Sequence, residues 1–252
     1  MKELAWGRLG RTSAWLFGGL VVAGGVLVTV VGVGIPPTEP GLARHYDYVR
    51  SIWPELYVSF LLFIAAFISL APLGLALREF FGRDLRAELM YMSFLAAAIV
   101  GVLWMLVQLG SAQAVVRDTA GATPEQLNVV GASSSIWSGA INWIQRGFLL
   151  FASLGTYWTG RSALLQGSLT RPLAWLSIAL AVAYWLGLAS LVVRDLGIPF
   201  PDAVGSILIA LGAGVSLVWA GWLGWVLGRR GAFEGWLTKT GKSVSGGSGK
   251  PD

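Results

Sequence analysis

The sequence contains no cysteine and a single histidine, His45. The first absence excludes disulfide frameworks, iron–sulfur ligation, zinc–thiolate sites and thiol nucleophiles. The second excludes a haem held between two imidazoles. It also removes a part that most acid–base schemes need, and one imidazole without converging ligands is no metal site. Lysine is confined to Lys2, Lys239, Lys242 and Lys250, none inside an apolar run, so a retinal Schiff base within a bundle is excluded. Charge is equally sparse. Only 12% of the 252 residues are Asp, Glu, Lys or Arg, against about 25% in an ordinary soluble domain. That is too little to cover a soluble globule of this size. With 55% hydrophobic residues and a mean hydropathy of +0.68, the chain reads as a polytopic membrane protein.

Carboxylates are missing from the depths of every hydrophobic run, which weighs against ion-coupled transport and proton pumping. There is no His-Glu-x-x-His pair, no Gly-x-Ser-x-Gly elbow and no Asp pair at membrane depth. The residues imply no cofactor and no metal, and a non-catalytic protein is expected.

What is present is a series of runs long enough to cross a bilayer, which takes about 20 apolar residues. Six are expected, at about 13–34, 56–77, 91–111, 137–159, 172–193 and 205–228. They form one all-α domain over 1–230, followed by an interfacial segment and a flexible Gly/Ser-rich tail over 231–252. Trp15, Trp53, Tyr57, Tyr91, Trp137, Tyr157, Trp158 and Trp175 fit aromatic belts at the two interfaces. The first run is longer than a signal-peptide core and no A-x-A site follows it, so a retained helix is expected. Pro72 should kink the second span.

The net charge of +5 lies in the loops. Thirteen Lys and Arg residues fall on the side of the N-terminus, second loop, fourth loop and C-terminal tail; four fall on the other side. The positive-inside rule then places both termini in the cytoplasm, which requires an even number of spans. This distribution also argues against nucleic acid as a partner. Short amphipathic helices are expected on the surface within 41–55, 78–90 and 124–130. The last should start at a capping box, with Thr123 as cap, Pro124 in the first turn and Gln126 reaching back.

Two features invite a function. Arg146 falls inside the fourth span beside Asn142 and Gln145. A membrane-depth arginine needs a partner or a wet pocket, and Glu55, Asp118 and Glu125 are candidate partners. It is either a packing arginine or the centre of an outward-facing anion or lipid site with Asn142 and Gln145. The second feature is a stripe of small residues on the sixth span: Gly212, Ser216, Ala220, Gly224 and Gly228. Gly18, Gly25 and Gly32 on the first span, and Ala179, Ala183 and Gly187 on the fifth, are similar. Such stripes let helix backbones approach, within one bundle or across a subunit interface.

The layout resembles a group of bacterial six-helix membrane proteins catalogued as domain of unknown function 4386. The likeness lies in the charged end of the second span, Leu77-Arg78-Glu79-Phe80-Phe81, and in Gly147-Phe148-Leu149-Leu150 running on to Gly155-Thr156-Tyr157. Arg171-Pro172-Leu173-Ala174-Trp175-Leu176 then opens the fifth span. The resemblance implies a six-helix fold in a bacterial plasma membrane, and no activity. The leading expectation is an accessory or scaffolding subunit embedded in the lipid bilayer and packing against partner membrane subunits or further copies of itself. The other is a small-solute, anion or lipid transporter or binder with Arg146 at its site.

Overall fold

The computed structural model describes residues 2–32, 42–196 and 202–240, without the side chains of 2–4, 29–32, 42–45, 134–136, 194–195, 202–206 and 230–240. The described residues are helical, with no strand. The helices are α1 (Lys2–Gly32), α2 (Leu42–Ser51), α3 (Trp53–Ile68), α4 (Leu70–Phe81), α5 (Leu85–Asp118), α6 (Pro124–Gln166), α7 (Arg171–Asp195) and α8 (Asp202–Thr240). The Gly/Ser-rich end expected beyond Ser243 lies outside the described residues.

Five stretches are long and apolar enough to cross a membrane: Ala5–Val28, Trp53–Phe81, Leu85–Asp118, Arg171–Val193 and Ile207–Arg229. This is the layout of a multi-pass helical membrane protein. The expected fourth span, 137–159, falls inside α6 and is not among the five. Asn142, Gln145, Arg146 and the hydroxyl residues that follow keep its hydropathy low.

Each rod packs on the next in chain order, and α8 returns to α1, so α1, α3–α4, α5, α6, α7 and α8 form a closed ring. Arg11, Arg78, Arg86, Arg161, Arg171 and Arg229 gather at one end of the ring, called here the basic end; α2 and the α5–α6 turn lie at the far end. Near the basic end, Phe94 of α5 fills the centre. It stacks on Trp219 of α8 with ring centroids 6.2 Å apart. It also lies so close to Gly74 of α4 and Gly155 of α6 that a Cβ there would stand 2.8 and 3.0 Å from it. Trp219 is buried and donates its indole N–H to the Ser177 hydroxyl of α7 at 2.8 Å, which satisfies the one polar atom it takes out of water. Trp219 thus faces the ring interior.

Pro72 has the effect its chemistry dictates. It offers no N–H to the carbonyl of Ile68, and the second rod breaks at Ser69 into α3 and α4. The Ser69 N–H is shared between the carbonyls of Ala65 and Ala66 across the break, and Leu73 resumes the ladder by donating to Ser69.

Three surface elements were expected, and one forms as such. The segment 41–55 yields α2, a separate amphipathic helix. The segment 78–90 is instead a tight turn between two rods. Gly82, at φ +89°, ends α4 in the left-handed region that glycine favours, and the Asp84 carboxylate caps α5 by accepting from the Ala87 N–H at 2.8 Å. Arg78 bonds Glu88 across this turn at 2.7 Å. The segment after Thr123 does begin at the expected capping box: the Gln126 side chain accepts from the Thr123 N–H at 2.8 Å, and the Thr123 hydroxyl accepts from the Gln126 N–H at 3.4 Å. It does not stop at Val130. It runs unbroken for 43 residues to Gln166. The small residues Gly131 to Ser133 read as a breaker but carry the helix, with the Ser133 hydroxyl turned back onto the Val130 carbonyl at 2.9 Å.

Candidate functional site

The lengths of α5 and α6 create the site. At 34 and 43 residues, they are about 51 and 64 Å long at 1.5 Å per residue, well beyond the roughly 30 Å of a hydrocarbon core. The two run antiparallel, with Val100 against Gly147 and Phe94 against Gly155, and their far ends extend past the rest of the ring. There α2 packs against both. Tyr46 of α2 is buried, and Arg50 of α2 donates to the carbonyl of Thr119 at 3.2 Å and pairs with Asp47.

Between α2, α3, α5 and α6 lies a cavity of about 510 Å³, open to the outside. Tyr46 and Val49 line it from α2 and Phe60 from α3. Gln108, Ser111, Ala112 and Val115 come from α5, and Gly131, Ser138, Ile141 and Asn142 from α6. Small residues on the facing sides of α5 and α6 leave the space, since Ser111, Ala112, Gly131 and Ser138 cannot close it. Across the α5–α6 seam a second cavity of about 380 Å³ shares Ser111 and Val115, and is otherwise edged by residues such as Gly110, Asp118 and Trp137.

The sequence-predicted residues divide at this site. Asn142 is exposed and lines the larger cavity. Arg146 lies one turn deeper on the same face of α6, at 5% exposure, with its guanidinium 4.5 Å from the Trp143 ring centroid. Neither Arg146 nor Gln145 lines the cavity. Of its candidate partners, Asp118 is held by Arg117 at 2.7 Å, while Glu55 and Glu125 are exposed. Below Arg146 the polar residues of α6 are buried one after another: Ser153, Thr156, Thr159 and Ser162. Thr156 and Thr159 bond back to carbonyls of their own helix, which makes a polar face tolerable inside the ring.

The small-residue stripe of α8 is filled from within the chain. Tyr184 of α7 lies over Gly212 and donates to its carbonyl at 3.4 Å. Ala220 meets Gly18 of α1, Gly224 meets Ala14 and Trp15, and Gly228 meets Arg11. Ser216 is buried, with its hydroxyl on the Ala213 carbonyl. On α7 the buried face is set by Ser177, Leu180, Tyr184 and Gly187, whereas Ala179 is exposed.

Sequence reading passed over Gln108, Ser111, Phe60 and Ser138. The available signal was Gln108 inside the third apolar run and Ser138 one turn from Asn142. The side chain of His45 lies outside the described residues; among these, no group of three or more His, Cys, Asp or Glu could hold a metal. Comparisons with protein-family models, curated proteins and solved structures return no match.

Proposed function

We propose that this is a non-catalytic integral membrane protein that binds a small ligand in the far-end cavity, on the outer face of a bacterial plasma membrane. In this reading α6 is the sixth span, carried across the bilayer between α5 and α7 with its polar side turned inward. The basic end and both termini are cytoplasmic, in keeping with the thirteen-to-four distribution of Lys and Arg. A count of about 20 residues from Arg86 along α5, and back from Arg161 along α6, reaches the outer boundary near residues 106 and 141. The α2–α5–α6 cap then stands at and above the outer leaflet. Exposed Tyr57, Trp137 and Trp143 at that level, and exposed Trp15, Trp175 and Trp225 toward the basic end, match two interfacial belts. Kinship with the six-helix group named above is part of the same proposal.

The observation that carries the binding role is the cavity itself. At about 510 Å³ it falls within the roughly 300–1,000 Å³ of small-molecule sites, and like them it mixes apolar walls with a few polar groups. The accessory-subunit reading keeps only the lipid-facing surface as a contact area, because α1 and α7 occupy the stripe that motivated it. The cavity is tested by filling it. The full-length protein and Ala112→Trp would be purified in mild detergent and their co-purifying small molecules compared by mass spectrometry. A species present with the parent and depleted in Ala112→Trp is expected. Identical extracts from two folded proteins would contradict a binding role.

A further inference from the structure

We infer that the ligand of the far-end cavity carries an uncharged head group rich in hydroxyls, of which a sugar ring is the type. This inference rests on the binding reading above and names the ligand's chemistry. Among the described residues, no charged side chain lines the cavity. Two described arginines at the same end are engaged elsewhere: Arg50 on Asp47 and the Thr119 carbonyl, and Arg117 on Asp118. Arg146 is buried a turn deeper against Trp143. A phosphate or carboxylate would therefore find no cation among the described residues of the walls, and charged ligands are desolvated at a cost that only a paired charge offsets.

What the walls do offer is neutral hydrogen bonding. Gln108 and Asn142 come from neighbouring levels of the antiparallel α5–α6 pair, and Ser111 lies one turn beyond Gln108 on α5. Among the described residues, none of these three side chains has a hydrogen-bond partner in the protein. Each carboxamide supplies two N–H donors and a carbonyl acceptor. That set pairs with hydroxyls, which both donate and accept, and selects weakly for an anion, which only accepts. The aromatic residues Tyr46 and Phe60 line the same cavity from α2 and α3. Aromatic side chains together with carboxamides suit a ring that is polar at its edge and apolar across its C–H face. The cavity sits where an outer-leaflet head group would lie, so the same chemistry can arrive as a glycolipid or as a free sugar.

The test uses the full-length protein in phosphatidylcholine nanodiscs containing either a monogalactosyl diacylglycerol or a phosphatidylglycerol with the same acyl chains. Bound lipid is read by native mass spectrometry. Glucose is added in a separate arm and followed by tryptophan fluorescence. The galactolipid should be retained about tenfold over phosphatidylglycerol, and Gln108→Leu/Asn142→Leu should lose that preference, as expected for about one net hydrogen bond or more. Should the double variant fail to fold, Asn142→Leu alone, at an exposed position, makes the same comparison. Binding of glucose without the galactolipid upholds the chemistry and assigns the source as a soluble sugar. Preferential retention of phosphatidylglycerol, abolished by Arg146→Gln, overturns the inference in favour of an anionic head group. Equal retention of both lipids, lost in Ala112→Trp, overturns the chemistry and leaves the binding role standing. Retention of neither lipid, no response to glucose and no effect of Ala112→Trp would overturn both.

Discussion

The guanidinium of Arg146 lies 4.5 Å from the centre of the Trp143 ring, and Trp143 is itself 62% exposed. One residue brings charge into the bundle, and the other covers it from the exposed side with a face of negative potential. At partly desolvated sites such a contact contributes about 0.5–2 kcal/mol, and since both residues lie on α6 it supports that helix itself. A double-mutant cycle with Arg146→Met and Trp143→Leu, read by thermal unfolding in detergent, should return a favourable coupling of that size. Additive single effects would show that the two residues act independently. That Arg146 sits beside Asn142 and Gln145 within a long helical run was legible in the sequence. Its separation from the cavity was not, because one turn of helix divides lining from packing and residue spacing alone does not say where the neighbouring helix closes over.

At the scale of elements, glycine decides how closely the rods approach. A Cβ at Gly160 of α6 would stand 2.5 Å from the carbonyl oxygen of Ala174 and 2.7 Å from Cγ1 of Ile178, both on α7. Gly139, on the same helix near the cavity, has nothing within 4 Å. Gly160→Ala should therefore force α6 and α7 apart and destabilise by about 1–3 kcal/mol. Gly139→Ala should be neutral or slightly stabilising, through helix propensity. Thermal unfolding of the two variants checks the contrast, and equal effects would contradict the α6–α7 packing. Element starts were well marked in the sequence. The Thr123–Gln126 capping box and the break before Pro72 are local effects of the residues that cause them. The length of α6 was hidden by the run from Gly131 to Ser135, whose small residues are as compatible with a loop as with a helix packed closely against a neighbour. The cavity was hidden for a related reason. It is an absence of side-chain volume shared among α2, α3, α5 and α6, and no single segment signals it.

For the molecule as a whole, the ring of rods explains why a chain with so little charge can carry a polar α6. Five stretches supply the apolar surface that faces lipid, and α6 turns Ser153, Thr156 and Thr159 inward, where its own carbonyls accept their hydroxyls. Two long rods and α2 then have length to spare beyond the far end, and this excess builds the cap. The account stands on that cap lying outside the membrane with the cavity open to the exterior, and so on α6 crossing as the sixth span. The chain lacks cysteine, so single cysteines report without background. The most direct measurement is labelling of Ala122→Cys, Ser138→Cys and Thr170→Cys in intact cells with a membrane-impermeant maleimide. Ala122→Cys at the α5–α6 turn and Ser138→Cys in the cavity should label from outside, and Thr170→Cys, exposed at the basic end, only after the membrane is opened. Labelling of Thr170→Cys from outside, or protection of Ser138→Cys and Ala122→Cys until lysis, would contradict the account.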